Sequence, residues 1–199
     1  MSVAGGIAVP PRRRISIIAT GGTIEKTYSE LGGVLSNRLD EPVKVLDVML
    51  GQLELPELEI ARISLMNKDS LDMTEADHAL IAATVERELE TRGAVVVVHG
   101  TDRLVATGER ILDHLSAKGA MPGPVVMTGA MRPFELRRTD AVQNLTEALL
   151  AVRLLPPGVY CVMHNEVLAF PGVVKDRERS RFRRVRPGET TEPEPERRP

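Results

Sequence analysis

Gly21-Gly22-Thr23 and His99-Gly100-Thr101-Asp102 are the two segments whose residue types could carry out covalent chemistry. Each closes an apolar, β-branched run, Ile15-Ser16-Ile17-Ile18-Ala19 before the first and Val95-Val96-Val97-Val98 before the second. Such runs read as buried parallel strands, and open α/β sheets hold their ligands at the carboxyl ends of strands. Two hydroxyls facing one cleft there suit nucleophilic catalysis, provided that neighbours accept their protons. A plainer reading stands beside each segment. Thr101 or Asp102 could simply cap a following helix, and the paired glycines could serve only a tight turn. The spacing Thr20-Gly21-Gly22-Thr23 is neither GxGxxG nor GxxxxGK[ST], so a phosphate site loses ground.

The elements that must position these residues follow from periodicity. Strands are predicted near 14–19, 59–65, 94–98, 124–128 and 158–163, alternating with helical segments in the rhythm of right-handed βαβ units. A helix near 41–50 fits Pro42 at its first position and Gly51 beyond its end. Thr74-Glu75-Ala76-Asp77 reads as the capping signal of a second helix, which runs through Ile81, Val85 and Leu89 and stops before Gly93. After Thr101-Asp102, the residues Leu104, Gly108, Ile111, Leu112 and Leu115 share one face of a third helix, with Gly108 allowing close packing. Asp140 is placed to cap a fourth, whose stripe is Ala141, Leu145, Ala148, Leu149 and Val152. No internal repeat is present.

Composition narrows the class. The chain has 199 residues, 42% hydrophobic and only 3% aromatic, with a formal charge of −2. That suffices for one core built from Val, Leu, Ile, Ala and Met, so we expect a single α/β domain with a doubly wound, mostly parallel sheet flanked by helices. Domain organisation is read as a flexible segment 1–13, a catalytic domain 14–186 and a disordered acidic, Pro-rich tail 187–199. Cys161 is the only cysteine, which rules out an internal disulfide and a thiolate zinc set and points to a buried, inert thiol. His78, His99, His114 and His164 lack ligand spacing, so no metal and no cofactor is expected. No export signal or membrane span is read, and a cytoplasmic location is expected.

Three segments at strand ends recur in order: Ala19-Thr20-Gly21-Gly22-Thr23-Ile24, Val98-His99-Gly100-Thr101-Asp102 and Met127-Thr128-Gly129-Ala130-Met131-Arg132-Pro133. Together they resemble the bacterial-type L-asparaginases. The resemblance extends through Asn67-Lys68-Asp69-Ser70-Leu71-Asp72-Met73 and Val173-Val174-Lys175-Asp176, and so covers residues 14–186. It implies hydrolysis of L-asparagine to L-aspartate and ammonia through a threonine acyl-enzyme, in an asparaginase N-terminal-like domain. Thr23 matches the nucleophilic threonine and Tyr28 its partner, while Thr101 and Lys175 match a second catalytic pair. Asp102 matches the group that binds the substrate α-ammonium, and Ser70 one that holds its α-carboxylate.

Plainer roles remain open for several of these residues. A phenol titrates near a pKa of about 10, so Tyr28 either needs a field favouring its phenolate or merely covers the substrate on a lid. Lys175 lies among Asp176, Arg177 and Glu178 and could be a solvated charge; if desolvated, it could act as a base. His99 reads as a packed histidine, and Arg132 as either support for the site floor or an ion pair within its loop.

The chain also departs from the family pattern. Lys175 lies close to its end, and the usual second domain is not expected, so a homo-oligomer with fewer substrate contacts is anticipated. Tyr28 follows Thr23 at a short interval, and Leu71 stands where many members carry a polar residue, which predicts weak or no glutaminase activity. The alternative is a non-catalytic module that binds small amides or amino acids. Nucleic-acid binding through Arg177, Arg179, Arg181, Arg183, Arg184 and Arg186 is not favoured, because no aromatic series accompanies them and Phe182 and Val185 alternate as in a terminal strand.

Overall fold

The computed structural model describes residues 12–38, 44–119 and 121–186. Residues 1–11 of the expected flexible segment 1–13, the expected tail 187–199 and Pro42 lie outside these residues, whereas Arg12 is tied to the Arg153 and Leu155 carbonyls. Strand β1 (Arg14–Gly21) is followed by a 3-10 turn (Thr23–Glu25) and a hairpin of β2 (Thr27–Ser29) and β3 (Val34–Ser36). Helix α1 (Val45–Leu50) leads to β4 (Glu59–Lys68), a second 3-10 turn (Ser70–Asp72) and α2 (Glu75–Arg92). Then come β5 (Val95–Val98), α3 (Leu104–Ala117), β6 (Pro124–Thr128), α4 (Ala141–Leu154), β7 (Gly158–Met163) and β8 (Glu166–Ala169). Last is the antiparallel pair β9 (Val173–Asp176) and β10 (Arg181–Arg184).

The main sheet has the order β4-β1-β5-β6-β7-β8, parallel except for β8 against β7. From β1 the chain goes first to β4 on one side and then to β5 on the other, so the strand order reverses between β1 and β5. That crevice is where a doubly wound sheet opens to a ligand. Residues on alternate faces of the strands form two cores. Ile18, Val95, Val97, Val125 and Met127 pack with α2 and α3, whereas Ile15, Ile17, Val96, Val98 and Val126 pack with α1 and α4. All five residues of the predicted α4 stripe are buried. Gly108 meets the ring of Phe170, where a Cβ would lie 2.3 Å from Cζ. Among the described residues no helix is long and apolar enough to cross a membrane.

Three helix starts differ from the sequence reading, and the first is α1, expected near 41–50, which begins at Val45 after an extended Lys44. Neither Thr101 nor Asp102 caps α3: the helix begins at Leu104 after Arg103, with no side-chain cap bond. Asp140 stands at the N-cap of α4, but its carboxylate is turned away to the β6–α4 loop, and the hydroxyl of Thr139 accepts from the Ala141 N–H instead. At α2 the reading holds. Thr74 accepts from the Asp77 N–H at 3.3 Å, and Asp77 accepts from the Thr74 N–H at 2.8 Å and from Lys68 Nζ at 2.7 Å.

Burial opposes ionisation of Asp77, but the Lys68 and Thr74 hydrogen bonds prevail and hold its carboxyl down to about 2. Its stabilising contribution is therefore complete above the ordinary value of 3.8 and is lost as pH falls towards 2. Asp77→Ala should cost about 1–2 kcal/mol at pH 7 by urea denaturation. The gap between variant and wild type should narrow as the pH is lowered through that window.

Candidate active site

At the crevice the ends of β1 and β5 touch through backbone. A Cβ on Gly22 would lie 2.2 Å from Gly100 Cα, and Gly22 has φ 81°, so no other residue fits this contact. Thr23 and Thr101 each follow one of the two glycines. Gly100 in turn leaves room for Ser70, whose Cβ and Oγ would lie 2.6 Å from an added Cβ. Ser70 is buried, and its Oγ accepts from the Arg103 N–H at 3.4 Å, so it joins the second 3-10 turn to the start of α3. Asn37 holds the Gly22 loop by donating to the Gly22 carbonyl at 2.9 Å and to Asn67 Oδ1 at 2.8 Å.

Lys175 enters on β9. Its Nζ lies 2.7 Å from Thr101 Oγ1 and 3.1 Å from Asp102 Oδ1, and its side chain is only 13% exposed. Burial lowers the Lys175 pKa from 10.5; the Asp102 charge pulls it back up and Arg177 pushes it down again. Asp102 is also burdened by burial, yet the Arg177 hydrogen bond and the charge of Lys175 keep it below the usual carboxylate range. Arg177, at 2.9 Å from Asp102 Oδ1, is thus a member of this site rather than one more solvated arginine. Next to them Asp69 pairs with Lys26 at 2.8 Å.

Thr101, Asp102, Lys175 and Ser70 are therefore gathered around one loop crossing, with Thr23 one residue from it. Tyr28 lies on the β2–β3 hairpin and is half-exposed; among the described residues it makes no hydrogen bond to Thr23.

Behind the threonines lies a buried polar chain. His99 Nδ1 is 2.8 Å from the Gly100 carbonyl, which can only accept, so the proton belongs on Nδ1. Nε2 then accepts from the Thr107 hydroxyl at 2.9 Å, and Thr107 accepts from His78 Nδ1 at 2.8 Å. Complete burial pushes His99 down to about 4, and it is neutral at physiological pH. Both of its ring nitrogens are engaged, and it braces the loop of Thr101. Cys161 is buried and its thiol is pushed up by desolvation, as an inert residue should be. Arg132 lies 3.6 Å from Asp140, which realises the ion-pair reading.

Two residues carry more than their sequence context signalled. Asp140 accepts from the Met131 and Arg132 N–H groups, Asn144 Nδ2 and His164 Nε2 at 2.8–2.9 Å, and so fixes the β6–α4 loop. Glu25, two residues after Thr23, is buried and accepts from the Gly21 N–H at 2.9 Å. The available signal was an acid next to Ile24 in an otherwise small and apolar turn.

Residues 14–183 match the family model described as Asparaginase, N-terminal, and the chain belongs to that family. It is 26% identical over 155 residues to an L-asparaginase of Thermococcus kodakarensis, covering 78% of this chain and 45% of the relative. It is 35% identical over 145 residues to one of the subunits of the glutamyl-tRNA(Gln) amidotransferase of Pyrobaculum aerophilum, covering 72% and 33%. Among solved structures, the thermostable L-asparaginase from T. kodakarensis superposes with a TM-score of 0.72 at 25% identity, covering 86% of this chain and 51% of that one. L-asparaginase I from Vibrio cholerae superposes at 0.69 and 25% identity, covering 87% and 51%. The chain thus spans about half or less of the length of these relatives.

Desolvation raises the Glu25 carboxyl to about 7, against an ordinary 4.5, with the Gly21 hydrogen bond only partly opposing it. The folded state therefore holds this proton more tightly than the unfolded state, and stability falls as pH rises from 4.5 to about 7. Glu25→Gln keeps the acceptor and removes that loss. It should stabilise the protein at pH 8 by on the order of 2–3 kcal/mol and leave it nearly unchanged at pH 4, measured by urea denaturation at both pH values.

Proposed function

We propose that this protein is an L-asparagine amidohydrolase in which Thr23 attacks the side-chain carboxamide and Thr101 works with Lys175. The observation that carries the reading is the 2.7 Å contact between Lys175 Nζ and Thr101 Oγ1, in a half-buried crevice at the strand-order reversal. As an ammonium, Lys175 donates to the Thr101 oxygen. Once deprotonated, which desolvation favours, it accepts the Thr101 proton. Thr23 Oγ adds to the carbonyl carbon, and the oxygen takes the developing charge beside the N–H groups of the glycine turns. Collapse expels ammonia, which carries off the proton removed from Thr23, and leaves an ester. Water then cleaves the ester to aspartate, regenerating the hydroxyl. Tyr28 is assigned to Thr23 as proton acceptor or cover, Ser70 to the α-carboxylate and Asp102 to the α-ammonium end.

A second reading rests on the 35% identity to a component of an amidotransferase: the same threonine chemistry could release amide nitrogen within a larger assembly. A third, non-catalytic binding of small amides, predicts saturable binding without ammonia. Release of ammonia from asparagine, glutamine and simple amides separates the readings. Thr23→Ala and Thr101→Val should each lower asparagine turnover by about 10³-fold or more with folding retained, and absence of ammonia from the wild type would sink the hydrolase. Because the Leu71 side chain offers no hydrogen bond, kcat/KM for glutamine should be at least about tenfold below that for asparagine. Light scattering should find a homo-oligomer in the active fraction, and a fully active monomer would overturn that expectation.

A further inference from the structure

Asp102, the carboxylate assigned above to a substrate ammonium, already serves two cations of this chain. Lys175 Nζ and Arg177 Nη1 both donate to its Oδ1, at 3.1 and 2.9 Å. Oδ2 remains for a ligand, but a third positive charge there would meet two cations held by a single negative charge. The surroundings sharpen the imbalance. Lys26, Lys175 and Arg177 together carry three positive charges against the two carboxylates of Asp69 and Asp102. A zwitterionic amino acid adds no net charge to this cluster, whereas a carboxamide with a carboxylate and no ammonium adds the one negative charge that balances it.

We propose that Arg177 is the specificity-determining residue of the site, and that it turns the pocket toward net-anionic half-amides of short dicarboxylic acids in preference to free α-amino acids. The inference rests on the amidohydrolase reading for its chemistry, which is unchanged: the C–N bond of the amide breaks, water supplies the new oxygen, and ammonia leaves. Arg177 takes no part in these bond changes. Its side chain is 46% exposed, so solvent screens the effect and a preference of a few-fold is expected rather than an absolute one.

Binding of the two product acids tests the inference without turnover. Calorimetry with succinate and L-aspartate, which differ by the ammonium alone, should show succinate bound a few-fold more tightly by the wild type, and tighter binding of aspartate would overturn the proposal. Arg177→Gln should shift the ratio of the two dissociation constants towards aspartate by about fivefold, and Arg177→Lys, which keeps the charge, should retain the wild-type preference. The kcat/KM ratio for succinamate and asparagine should move in the same direction. A ratio that Arg177→Gln leaves unchanged, or no binding of either diacid, overturns the proposal. A ratio that switches while neither amide is hydrolysed supports it and counts against the hydrolase reading instead.

Discussion

The contact between Gly22 and Gly100 is the constraint on which the site depends. Parallel pairing of β1 with β5 brings two chain crossings to the same sheet edge, and the crossings approach so closely that a Cβ on Gly22 would lie 2.2 Å from Gly100 Cα. A crossing this close tolerates no side chain at Gly22, which also adopts φ 81°, a conformation an L side chain resists. The threonine that follows each glycine inherits its position from this contact. Ser70 packs on the free side of Gly100, and Asn37 pins the Gly22 carbonyl, so the crossing is braced from both strands.

Polar groups buried around the crossing serve rigidity more than chemistry. An unpaired buried donor or acceptor costs about 1–3 kcal/mol, and Asp140 avoids that cost for the loop after β6 by taking four donors at once. His99, neutral and fully buried, links the Gly100 carbonyl through Thr107 to His78. Each network fixes one loop at the sheet edge before a ligand arrives, which spares the site the entropy of ordering those loops on binding.

The sequence patterns that located the fold were those with a single physical cause. β-branched runs could only be buried strands, and the capping box of Thr74 and Asp77 and the α4 stripe follow from local geometry alone. The β2–β3 hairpin and strands β8 and β9 were harder to place, whereas the alternation around Phe182 did mark β10. The hairpin strands, β8 and β9 are three or four residues long, sit at edges, and their burial is decided by distant partners. The same limit applied to side chains. Thr101 and Asp102 stand where a cap would, and only the start of α3 at Leu104 separates the two roles. Arg177 looked like its neighbours in an arginine-rich stretch, because nothing in the order of residues shows that β9 carries it back to Asp102. Lys175 and Thr101 are 74 residues apart, so their contact was legible only through the family resemblance.

Lys175 faces two opposed requirements. To take a proton from Thr101 it must become neutral, which its desolvated position promotes, but Asp102 at 3.1 Å stabilises its charged form. A site with Asp102 and Lys175 alone would settle into an ion pair and leave the lysine a poor base. Arg177 competes for the same carboxylate oxygen and weakens that hold, since a negative charge shared between two cations attracts each less. The arginine that disfavours an incoming ammonium thereby also eases the deprotonation of the lysine. Both consequences follow from one geometry, because Asp102 cannot be fully available to a ligand, to a base and to a surface cation at once.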